Sequence, residues 1–149
     1  EYLFIICKAL EFLGKHTLQD KVSKIVQVLD EEKIRFPENG CLYLVLDNYG
    51  AHEFIDEYYH YINENVRIGG TLSKNKVQTV CDYIYGTRCK IAHYKYGQEE
   101  ISDVGTMHES NVILCKLVKS IFEKLDDVLL NINIELGVFH EIEFMKGEE

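Results

Sequence analysis

Along most of the chain, apolar residues recur at intervals of three and four, the signature of helices that bury one face. Leu18, Val22, Ile25, Val26 and Leu29 predict an amphipathic helix over about 18–34. Residues 1–13 are apolar nearly all round and predict a buried helix, or one separated from an upstream context. Residues 41–66 read as one long helix or two, with Gly50 as the break, and Tyr58, Tyr59 and Tyr61 make this part aromatic. Val77, Val80, Cys81, Ile84, Ile91 and Ala92 form a stripe on a helix that Ser73 is placed to cap. Leu114, Leu117, Val118, Ile121, Leu125 and Val128 repeat the spacing over about 107–130.

Breaks fall where proline and glycine interrupt these patterns: at Pro37, at Gly69-Gly70, and between about Gly97 and Gly105. Beyond 130 the period changes. Ile132, Ile134 and Leu136 alternate with polar residues, and Ile142 and Phe144 do so after Gly137. That alternation predicts strands, as a small hairpin; a frayed or partner-dependent extension is the alternative. The expected architecture is an all-α bundle of five or six helices over 1–130, followed by an extended or β tail over 131–149. Glu1 in place of an initiating Met suggests a piece of a larger protein.

Composition narrows the setting. A chain of 149 residues with 46% hydrophobic content suits one domain with its own core. No window approaches the roughly 18 consecutive apolar residues of a membrane span. The five cysteines (Cys7, Cys41, Cys81, Cys89 and Cys115) are odd in number, widely spaced and without a CxxC pair. That pattern offers neither a disulfide framework nor a zinc knuckle, and it suits a reducing cytoplasm. His52, His60, His108 and His140 fall into no metal-ligand spacing, so neither metal nor cofactor is expected. The net charge of −9 opposes broad nucleic-acid binding through a basic surface. The charge is unevenly spread, however. From Ser73 to Gly97, Lys74, Lys76, Arg88, Lys90 and Lys95 stand against Asp82 alone. A solvated helix face would carry such a run equally well.

Within that run Arg88 occupies a position where the stripe calls for an apolar residue. A charge on the core face of a helix is costly unless it is paired or reaches a wet cleft. His93 follows five residues later, about 140° around an ideal helix, so the two side chains meet only near a helix end or across a symmetric interface. As chemical types they suit RNA cleavage without a metal. Histidine moves protons near neutral pH, and arginine offers a planar fork to the charge that builds on a phosphorane.

The run Tyr85-Gly86-Thr87-Arg88-Cys89-Lys90-Ile91-Ala92-His93-Tyr94 resembles the R-x4-6-H signature of the HEPN superfamily. These are all-α domains of prokaryotic toxins and phage-defence proteins, and the wording is similar to that of the ApeA-like branch. The resemblance implies a helical bundle that dimerises with both motifs lining one cleft. It also implies metal-independent endoribonuclease activity with Arg88 and His93 as the catalytic pair, in anti-phage defence or a toxin-like stress response. A regulatory domain or an antitoxin partner would restrain it. Lys90 and Lys95 are then candidates to guide RNA phosphates and Tyr94 to stack on a base; exposed lysines and interface tyrosines are the plain alternatives. The position after the arginine, usually polar in that superfamily, holds Cys89. A thiol is a weak hydrogen-bond partner, so the competing expectation is a catalytically silent module for dimerisation and for binding RNA, nucleotide or protein. A purely structural helical domain is the third.

Overall fold

The computed structural model describes residues 2–66, 75–93 and 104–135, with side chains placed for 3–66, 75–93 and 107–126. Six helices follow one another: α1 (Tyr2–Thr17), α2 (Gln19–Glu31), α3 (Gly40–Tyr49), α4 (His52–Asn65), α5 (Lys76–Ala92) and α6 (Val104–Glu135). Among the described residues there is no strand, and no helix is long and apolar enough to cross a membrane. The fold is the expected all-α bundle.

The core is built from one face of five helices. Leu3, Cys7, Leu10 and Gly14 mark the inner face of α1 at steps of four, three and four. Leu42, Val45 and Leu46 come from α3, Ile55, Tyr58 and Ile62 from α4, Val80, Cys81 and Ile84 from α5, and Leu114, Leu117, Ile121 and Leu125 from α6. α1 lies against α3 and α5, and α4 against α5 and α6. α5 touches α1, α3 and α4, so it runs through the middle of the assembly.

Gly14 sets how closely α1 and α3 approach. A Cβ there would stand 2.5 Å from the Cys41 carbonyl oxygen and 2.7 Å from Val45 Cγ2, inside any real contact. The predicted break at Gly50 falls between two helices. Gly50 leaves the α3 helix with φ −67° and ψ 134°, and α4 starts two residues on. Tyr58 and Tyr61 belong to the core, where their rings meet that of Tyr83 at 5.8 and 6.3 Å.

Three expectations need correction. α5 is capped by Asn75, whose side chain accepts a hydrogen bond from the Gln78 N–H at 3.1 Å; Ser73 lies outside the described residues. α6 continues to Glu135, so Ile132 and Ile134 sit on helix and not on a strand. Three positions at period two are too few to end a helix that propagates from a well-packed stem. Leu136, Ile142 and Phe144 lie outside the described residues. Finally, α2 is shorter than predicted and none of its residues is buried. Leu18, Val22, Ile25, Val26 and Leu29 are only half covered, because among the described residues α2 leans chiefly on α1, with one hydrogen bond from Lys21 to Asn48 of α3 at 2.8 Å.

Candidate functional site

α5 carries the candidate pair on different faces. Its inner face holds Thr79, Val80, Cys81, Ile84 and Arg88, so the sequence argument that Arg88 breaks an apolar stripe holds in three dimensions. Arg88 is 9% exposed. α1 packs against α5 in the opposite direction: Phe4 meets Arg88, and Cys7 and Glu11 lie near Cys81. The guanidinium carbon sits over the Phe4 ring at 5.1 Å from its centre and over the Tyr85 ring at 5.4 Å.

Its polar contacts are sparse. Nη1 donates to Cys89 Sγ at 3.5 Å, a long bond to a weak acceptor. Nε is buried and has no hydrogen-bond partner. Among the described residues no carboxylate comes within ion-pair distance of Arg88. The bond to Cys89 raises the guanidinium pKa above its usual value, burial opposes that, and the charge of Glu11 adds to it. Glu11 itself takes hydrogen bonds from Lys8 at 3.0 Å and from Cys7 at 3.5 Å. Arg88 is therefore a buried cation with most of its five donors uncommitted.

His93 closes the helix. Its backbone N–H reaches the carbonyls of Cys89 and Ile91, with φ −106° and ψ 17°, and its side chain is exposed. No hydrogen bond joins it to Arg88 within one chain, as the angular offset on a helix dictates. Lys90 is exposed. Lys76, in the same basic stretch, is committed to Asp56 at 2.8 Å and leans over the Tyr59 ring. Tyr94 and Lys95 lie outside the described residues.

Two contributors had no mark in the sequence. Phe4 sits inside an apolar run that gives it no distinction, and Tyr85 is tethered from outside the helix. Its hydroxyl donates to Glu38 Oε2 at 3.1 Å, and burial followed by this bond pushes its pKa up to about 12. The thiols divide in the same structural sense. Cys7 and Cys81 are buried, Cys41 and Cys89 half-buried, and Cys115 exposed. Among the described residues no three His, Cys, Asp or Glu side chains gather as metal ligands. An open groove along α2, lined by Val22, Ser23, Val26, Gln27, Asp30 and Glu31, includes none of the candidate residues.

Compared with known proteins, the chain matches no family model, no curated protein and no solved structure.

Proposed function

We propose that the chain is a metal-independent endoribonuclease domain that works as a homodimer. The observation that carries this reading is Arg88: a buried guanidinium that no carboxylate among the described residues pairs with, its Nε unpartnered, five residues before an exposed histidine at a helix end. A buried cation of this kind is stable when an anion completes it. An RNA phosphate is such an anion. His93 takes the proton of the ribose 2′-OH, the oxygen attacks the adjacent phosphorus, and the 5′-oxygen leaves with a proton returned to it. Arg88 stabilises the charge on the phosphorane, and the product carries a 2′,3′-cyclic phosphate. A second copy supplies the proximity that one helix denies to positions 88 and 93. Lys90 and Lys95 guide the strand and Tyr94 stacks on a base. The resemblance to the HEPN superfamily supports the same chemistry, in a prokaryotic defence or toxin-like role restrained by a further domain or an antitoxin.

One observation favours a second reading. Arg88 lies over Phe4 of α1, and among the described residues its one hydrogen bond goes to a thiol. A silent module for dimerisation and RNA, nucleotide or protein binding needs nothing more. Single-stranded RNA incubated with the protein in EDTA separates the two. Cutting that survives chelation and is lost in both Arg88→Ala and His93→Ala supports the enzyme. Folded dimer that binds RNA and leaves it whole supports the module. A stable monomer indifferent to RNA overturns both.

A further inference from the structure

Arginine side chains in protein interiors are ordinarily fixed by carboxylates that consume their N–H donors. Arg88 is fixed differently. Two aromatic faces, Phe4 from α1 and Tyr85 from its own helix, lie against the guanidinium. A cation–π contact attracts the charge through the face of the ring and uses none of the N–H groups. Such contacts hold an arginine in place while leaving its edge chemically open. Nε, withdrawn from solvent and without a hydrogen-bond partner, is a donor that nothing among the described residues consumes.

The rings are themselves secured. Phe4 stands one turn before Cys7 on the inner side of α1, next to the buried Leu3. Tyr85 is held at its hydroxyl by Glu38, which also lies 3.9 Å from Arg35. The tether comes from the loop between α2 and α3, so three parts of the chain fix one cation: α1, that loop and α5. Neither ring carries a charge that would compete with an incoming anion.

We infer that Phe4 and Tyr85 are positioning residues that hold the Arg88 guanidinium by its faces so that its uncommitted N–H donors can receive a phosphate oxygen. The inference rests on the reading that Arg88 meets a phosphate, and it adds α1 and Glu38 to the machinery. A platform that preorganises a donor saves ordering cost at binding, and cation–π contacts of this kind change affinity by about tenfold.

The test follows the Arg88 Nε–H signal by NMR, assigned by its loss in Arg88→Lys, during titration with inorganic phosphate. In the native chain the signal shifts and saturates. Phe4→Leu keeps bulk and removes the π face; Tyr85→Leu does the same on the other ring. Each raises the half-saturating phosphate concentration about tenfold, while Phe4→Tyr restores it to within about twofold of the native value. In the RNA assay the same variants lower kcat as well, because the arginine they position also meets the charge on the phosphorane. A residue that only packs would move the melting temperature and not this titration. An Arg88 signal indifferent to phosphate in the folded native chain overturns the inference. So does native-like titration by folded Phe4→Leu or Tyr85→Leu, and one variant suffices if the other does not fold. If the titration behaves as expected and RNA stays uncut, the nuclease reading fails and the clamp stands.

Discussion

The hydroxyl of Tyr58 on α4 and that of Ser110 on α6 meet at 2.7 Å inside the core. Both side chains are almost fully buried, at 0% and 5% exposed, so Ser110 is the Tyr58 hydroxyl's escape from an unsatisfied polar group, and Ser110 in turn is shared with Tyr61. Removing Ser110 strands the Tyr58 hydroxyl. Ser110→Ala and Tyr58→Phe each destabilise the fold by about 1–3 kcal/mol. The double variant loses less than the sum, because the Tyr58 hydroxyl is then absent and cannot be stranded. Urea unfolding of the four proteins measures the coupling, and strict additivity would refute the pairing.

Gly14 offers a sharper probe of packing. An alanine there drives its Cβ against the Cys41 carbonyl and the Val45 side chain, and a backbone atom cannot turn aside as a flexible side chain can. Gly14→Ala is expected to lose roughly 2–3 kcal/mol in a urea titration. An unchanged midpoint would mean that α1 and α3 do not approach this closely.

At the end of α2 the chain closes with Ile34 N–H on the Leu29 carbonyl at 2.7 Å and Lys33 N–H on the Asp30 carbonyl at 3.1 Å. This is the Schellman pattern, whose left-handed position ordinarily belongs to glycine. Lys33 occupies it with φ 57°. Lys33→Gly relieves that strain and should stabilise α2 by about 0.5–1 kcal/mol. Thermal melts read the gain, and a loss of stability would show that the lysine is not strained.

Alkali should weaken the protein. Burial and the neighbouring Glu11 push the Cys7 thiol from 9.0 to about 12, and burial raises Cys81, Tyr58 and Tyr61 as well. In the unfolded chain these groups give up their protons at ordinary values; in the folded chain they keep them. Above about pH 9 the unfolded state therefore binds fewer protons, and stability falls as pH rises. It is fully present below that point and declines towards pH 12. Urea midpoints measured from neutrality upward trace the fall, and Cys7→Ala should flatten it. A midpoint that rises with pH over this window would contradict the burial of these groups.

The helices were legible because each carries its period in its own residues. Gly50 and Pro37 punctuated them for local reasons, and Arg88 announced itself by breaking a stripe. What the sequence withheld depends on contacts between distant segments. The spacing of Leu18, Val22, Ile25, Val26 and Leu29 reports that α2 is amphipathic and says nothing of whether a neighbour covers it. Ser73 and Asn75 are both able to cap a helix, and only the backbone chooses between them. Phe4 gained its relation to Arg88 when α1 folded back along α5, an event without a local trace, whereas Tyr85 stands one turn before Arg88 on the same helix. The geometry of Arg88 and His93 was half legible: the angular offset followed from helix periodicity, the aromatic surroundings did not.

Because α2 has no fully buried residue, it contributes little to the cooperative unit that the other five helices form. Such a segment opens on its own, at a free energy well below that of global unfolding. Amide hydrogens of Ser23 to Leu29 should then exchange with deuterium long before those of α5. The bundle is in effect a five-helix foldon carrying a sixth, separable one, and proteases should nick the chain there first.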